Sequence, residues 1–105
     1  MSRPYRIAAL MLLPLVLAAA TGPVVVNQVG RAFSVRELQV KRGETVRFNN
    51  ADEFLHQIYV RATAFNFVSN EQEPGGYVDI RFTAPGSFDV RCEIHPKMLL
   101  KVSVE

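Results

Sequence analysis

GSFDVRCEIHPKMLLKVSVE, residues 86–105, consists of two runs of alternating side chains joined by a short irregular stretch. Phe88, Val90 and Cys92 alternate with Asp89, Arg91 and Glu93, and Val102 and Val104 alternate with Lys101, Ser103 and Glu105. Apolar residues recurring at every second position place one face of a strand on a core and the other in water, the pattern of half-buried antiparallel strands. The same rhythm runs upstream. Val46 and Phe48 alternate with Thr45 and Arg47; His56, Ile58 and Val60 with Gln57, Tyr59 and Arg61; Val78, Ile80 and Phe82 with Asp79, Arg81 and Thr83. Val24 to Asn27 and Ser34 to Val40 supply two further strands, and Ala62 to Glu73 reads as a loop with a short strand. Turn residues separate these runs at Lys41-Arg42-Gly43-Glu44, Pro74-Gly75-Gly76 and Ala84-Pro85-Gly86-Ser87. With no convincing helical stretch, the expected fold is all-β, a Greek-key β-sandwich of about seven to eight strands.

The chain has 105 residues, room for one small domain. Its start follows a different rule. Arg3 and Arg6 precede an apolar run from Ile7 to Ala20, and small residues, Ala18-Ala19-Ala20-Thr21-Gly22, close it. A basic start, a short apolar middle and a small-residue exit form a secretory signal peptide, and the run is short for a span, which takes about 20 residues. Residues 1–20 are therefore read as a signal peptide and 21–105 as the domain, exported to the periplasm, with no stable membrane insertion after cleavage; an uncleaved anchor is the rival reading. Without Arg3 and Arg6 the twelve Lys and Arg become ten, against ten Asp and Glu. The domain is thus neutral overall, and with no basic run interleaved with aromatics, nucleic acid is set aside.

The cysteine inventory carries more. Small exported domains often use disulfides to supplement a modest core, yet this chain has one Cys and cannot form an internal bridge. A lone thiol in an oxidising compartment needs an occupant, and a metal would both occupy the thiolate and staple the fold. Beyond residue 21 the chain holds one Cys, two His and one Met: Cys92, His56, His95 and Met98. Three lie in the spacing C-x2-H-x2-M between two strands, and His56 opens another strand, on the same inward face as Ile58 and Val60.

Singly, each residue has an ordinary explanation: a buried Cys acts as a small hydrophobe, a Met fills gaps, a His bonds backbone or sits in a loop. Together they exhaust the soft and imidazole donors of the domain. A thiolate and two imidazoles with a weak axial thioether are the donor set of a blue copper ion. Zinc takes Cys and His but rarely a thioether, so Met98 argues against it. A Cys–His nucleophile pair is conceivable, but no third orienting group or oxyanion-stabilising loop is apparent, and no enzyme is expected.

At these residues the chain resembles the cupredoxins, in their plastocyanin and amicyanin branch. The stretch from Phe88 through Cys92 to Glu105 is similar to the closing segment of amicyanins, whose C-x2-H-x2-M spacing it shares, plastocyanins having a longer gap before the Met. Val46-Arg47-Phe48-Asn49-Asn50, with His56 six residues on, resembles the first-ligand segment. The resemblance covers about Phe33 to Glu105. It implies a cupredoxin-like sandwich, copper as cofactor on His56, Cys92, His95 and Met98, and single-electron shuttling between redox proteins such as a c-type cytochrome or a periplasmic dehydrogenase. It further implies His95 as the electron port within an apolar docking patch of Leu55, Pro96, Leu99 and Leu100. A monomer is expected. Asn50, Gln57 and Glu93 are expected beside the ligands. Gln57 and Glu93 replace the family's usual Asn and Thr or Ser, and a longer Gln57–Glu93 pair is expected to tie the two ligand segments together. Copper delivery or storage is the alternative; a chain with no surplus His or Met beyond residue 21 favours the redox reading.

Overall fold

Side-chain alternation decides which residues meet in the core, and the computed structural model, which describes residues 22–105, shows the result as eight strands. They are β1 (Val24–Gln28), β2 (Glu37–Val40), β3 (Thr45–Asn50), β4 (Ile58–Arg61), β5 (Asn66–Val68), β6 (Tyr77–Arg81), β7 (Gly86–Cys92) and β8 (Leu99–Val104). They form a three-stranded sheet ordered β1-β3-β6 and a five-stranded sheet ordered β2-β8-β7-β4-β5. The expected all-β sandwich is what the chain adopts. The expected leader, 1–20, lies outside the described residues. No helix among the described residues is long and apolar enough to cross a membrane.

Two strand pairs depart from the antiparallel expectation. β1 runs parallel to β3, pairing Val24 with Val46 through Gln28 with Asn50. β2 runs parallel to β8, pairing Glu37 with Lys101 through Val40 with Val104. Period-two alternation reports which face a side chain occupies and is blind to the direction of the neighbour. Here β2 belongs to the opposite sheet from β1 and β3, so the chain crosses the sandwich twice and re-enters the first sheet in its original direction. Two strand starts also shift. β2 begins at Glu37 rather than Ser34, and β4 at Ile58 rather than His56, which instead makes an isolated bridge to Gln72.

The inward faces are those the alternation marks. Val46, Phe48, Ile58, Val60, Ile80, Phe82, Phe88, Val90, Val102 and Val104 are all buried. Phe82 belongs to a group of three aromatic rings, its centroid 5.3 Å from that of Phe65 and 6.4 Å from that of Phe88. Its main-chain carbonyl accepts the N–H of Gly43, whose φ of 92° suits a residue without Cβ. Truncating a fully buried phenylalanine removes its transfer energy and leaves a cavity. Phe82→Ala is therefore expected to lower the stability of the copper-free protein by about 3–5 kcal/mol in urea unfolding, while leaving the residues around Cys92 in place.

Candidate metal centre

The β4–β7 pairing sets the site. Ile58 lies opposite Cys92 across that ladder, so the segment before β4 and the end of β7 meet at one end of the larger sheet's inner strands. The Gln57 N–H approaches Cys92 Sγ at 3.4 Å, and the Glu93 N–H donates to the Gln57 carbonyl at 2.8 Å. Past Cys92 the chain turns tightly, closed by the Met98 N–H donating to the His95 carbonyl at 3.0 Å, and Leu99 starts β8. This short loop carries His95 and Met98 across the end of the strands.

Three donor atoms converge there. Cys92 Sγ lies 3.6 Å from His56 Nδ1 and 3.7 Å from His95 Nδ1, and the two Nδ1 atoms are 3.3 Å apart. His56 and Cys92 are buried, and His95 is half-buried. In a near-equilateral triangle of such sides the centre lies about 2 Å from each corner, the length of a first-row metal–imidazole bond. Met98 is buried in the same loop.

The tautomer of His56 is set from behind. Its Nε2 lies 3.0 Å from Asp52 Oδ2, and this carboxylate also accepts the Arg31 N–H at 2.8 Å and, through Oδ1, the Glu53 N–H at 3.0 Å. A carboxylate on Nε2 fixes the proton there and leaves the Nδ1 lone pair facing Cys92 and His95. Burial alone would raise the Asp52 carboxyl, but N–H donation from Arg31, His56, Glu53 and Gly30 outweighs it and holds the group at about 2. His95 is pushed below the usual imidazole range, first by burial, then by the neighbouring His56 and Arg31, with Asp52 opposing. Burial thus favours a neutral His95 ring, whose Nδ1 lone pair faces the donor atoms of Cys92 and His56.

Asp52 belongs to a buried polar frame under the site. Asn50 donates through Nδ2 to the carbonyls of Phe54 and Gln72, at 2.8 and 3.0 Å, and accepts the Asp52 N–H at 2.9 Å. Gln72 exchanges main-chain bonds with His56 and donates through Nε2 to the Phe48 carbonyl at 3.0 Å. Gln28 in turn donates to Gln72 Oε1 at 2.9 Å. Gln28, Asn50, Asp52, His56 and Gln72 are all buried. The sequence reading found Asn50 of this frame and missed Asp52, Gln72 and Gln28. An acid four residues before a His was the available signal, but within Asn49-Asn50-Ala51-Asp52-Glu53 it reads as a solvated turn.

Two sequence expectations are corrected. Gln57 and Glu93 form no side-chain pair: Gln57 donates to the Ser69 carbonyl at 2.8 Å, and Glu93 pairs with Arg61. Each side chain has another partner, and the main-chain bond from the Glu93 N–H to the Gln57 carbonyl makes the tie that their side chains were expected to make. Leu100 is no part of a docking patch. Its side chain alternates inward along β8 and is fully buried in the core. Of the other three patch residues, Leu55 and Pro96 are exposed and Leu99 is half-buried. Ile94, 40 % exposed, stands beside His95 and Pro96 on the same surface.

No family profile and no curated protein sequence matches the chain. Solved structures do. A copper(I) form of an amicyanin variant is 29% identical with a TM-score of 0.75, the match covering 83% of this chain and 86% of that one. Another amicyanin variant in its copper(I) form is 28% identical over the same shares, with a TM-score of 0.74. A copper-containing nitrite reductase from Thermus scotoductus is 28% identical with a TM-score of 0.71, but the match, 89% of this chain, covers only 25% of that one. The donor set of two imidazoles and a thiolate, with Met98 in the same loop, fits one copper ion.

Proposed function

From an amicyanin-like cupredoxin fold with a preformed His-Cys-His cluster, we propose that this protein is a small periplasmic electron carrier holding one copper ion at His56, Cys92, His95 and Met98. The single observation that carries the reading is the convergence of Cys92 Sγ with two Nδ1 atoms within 3.3–3.7 Å of one another. When bound there, copper supplies a one-electron Cu(I)/Cu(II) couple. Soft sulfur suits the reduced ion and imidazole the oxidised one.

The chain's own residues hold that set in place. Asp52 keeps the His56 Nδ1 free to ligate, Gln57 donates its N–H to the thiolate, and the β4–β7 main-chain bonds keep the two ligand segments from separating. Rigid ligands move little when charge changes, which suits repeated one-electron exchange. His95 is the one imidazole with exposed surface, so it is the proposed port to redox proteins such as a c-type cytochrome or a dehydrogenase. The carrier acts as a monomer released from its 1–20 leader, and carries out no catalysis of its own.

Titration of the domain with Cu(II) tests this. One equivalent is expected to produce an intense band at roughly 600 nm from thiolate-to-copper charge transfer, with a narrow copper hyperfine splitting in EPR and reversible voltammetry. Colourless protein would sink the proposal. Ready loss of Cu(I) to a mild chelator with sluggish electron exchange would favour copper delivery instead.

A further inference from the structure

We infer that the surface around His95 docks an acidic redox protein, steered by a rim of Arg31, Arg36 and Lys97; this rests on the electron-carrier reading and names the chemistry of its partner. Two adjoining hollows define the surface. One, of about 350 Å³, is lined by Arg31, Ile94, His95, Pro96 and Lys97. The other, of about 460 Å³, shares Arg31 and Lys97 and adds Arg36 and Lys101. Glu37 is the one carboxylate lining either. Residues 21–105 carry equal numbers of acidic and basic side chains, so this concentration of cations is a matter of placement.

The cations are also uncommitted. Among the described residues, Arg47, Arg61 and Lys101 pair with Asp79, Glu93 and Asp89, whereas the side chains of Arg31, Arg36 and Lys97 form no ion pair. Arg31 is held in advance. Its backbone sits at a φ of 58°, outside the usual region for a side-chain-bearing residue, with its N–H on Asp52 Oδ2 at 2.8 Å. Its guanidinium lies 4.0 Å from the centre of the Phe54 ring, and Phe54 meets His95 edge-on at 6.1 Å. A cation fixed beside the port needs little ordering when a partner arrives. Charges arranged around an apolar hollow raise the rate of encounter and leave the contact itself small, as brief electron-transfer complexes require. Four cations spread over two adjoining hollows, Arg31, Arg36, Lys97 and Lys101, are too short a track for a nucleic acid backbone.

The test has two arms. In the copper-free protein, the paramagnetic anion hexacyanochromate(III) is expected to broaden the amide signals of Arg31, Ala32, Arg36 and Lys97 first. Broadening centred elsewhere, or spread evenly, overturns the inference without touching copper. In the Cu(I) protein, one electron passes to hexacyanoferrate(III), giving Cu(II) and hexacyanoferrate(II). That rate is expected to fall roughly fivefold or more between about 10 mM and about 0.5 M ionic strength, as the attraction is screened. Arg36→Glu, outside the ligand loop, and the double variant R36E/K97E should weaken this salt dependence stepwise and speed oxidation by the cation tris(phenanthroline)cobalt(III). Oxidation that is rapid yet indifferent to salt and to both variants sinks the docking inference and leaves the carrier reading standing; failure to form a blue site sinks the carrier reading and with it the assignment to a redox partner, even where the anion broadening shows the cationic surface. Equal broadening by an anionic phospholipid vesicle or a DNA duplex, with none by an acidic c-type cytochrome, would also overturn the assignment to a protein partner.

Discussion

Cys92→Ser is expected to abolish the absorption at roughly 600 nm entirely, because the band requires a copper–thiolate bond, while the protein stays folded. Cys92 is 1% exposed and lies at the end of β7, where the Gln57 N–H and the two imidazoles approach its sulfur. A serine hydroxyl has nearly the same shape but does not ionise at neutral pH, so the one anionic soft donor is lost and the remaining set is two imidazoles and a thioether. The core itself loses little. The new hydroxyl can accept the Gln57 N–H, so the stability of the copper-free protein should change by about 1 kcal/mol. Visible spectra of the copper-loaded variant and urea unfolding of the copper-free one read the two effects separately. A Cys92→Ser protein that remained blue would remove the thiolate from the site and with it the proposed function.

Asp52→Asn is expected to have the next largest effect. The carboxylate touches no donor atom of the cluster directly facing the metal position, yet it fixes the His56 ring through Nε2 at 3.0 Å and ties Arg31 and Glu53 to the same loop. Removing such an orienting carboxylate costs about 10–100-fold in metal affinity, measurable by competition with a chelator. The variant also changes the acid response of the copper-free protein. The folded-state carboxyl sits at about 2, below its ordinary 3.8. A depressed value means that the folded protein gains from the ionised form, and the gain is complete above the ordinary value. It is lost as pH falls from about 4 through about 2. The urea midpoint of the native sequence should therefore drop across that window, and the drop should be smaller in Asp52→Asn. Equal slopes for the two proteins would show that Asp52 does not stabilise the fold in the way its hydrogen bonds imply.

The legibility of this protein divides at the strand. Val46 and Phe48, Ile58 and Val60, Phe88, Val90 and Cys92 were assignable to the inner face because the alternation of side chains is a property of the extended backbone itself. The four candidate ligands were legible for a related reason: the domain contains no other Cys, His or Met, so a chemistry demanding soft and imidazole donors has nowhere else to go. Leu100 shows the limit of ignoring that rule. In step with Val102 and Val104 it faces the core, whereas the resemblance implied a place in the surface patch.

What depends on which strand lies next to which was not legible. The parallel courses of β1 with β3 and β2 with β8 follow from crossings between sheets, to which a local period is blind. The same holds for the frame behind His56. Gln28 and Gln72 are 44 positions apart, and Arg31 and Asp52 are 21 apart, so nothing in either segment announces the other. Composition and periodicity determined the faces of the strands and the inventory of donors, both consequences of covalent structure. Tertiary packing alone decided which carboxylate orients the ligand imidazole and where a domain with equal numbers of acidic and basic side chains gathers its cations, because hydrogen bonds and charges act through space.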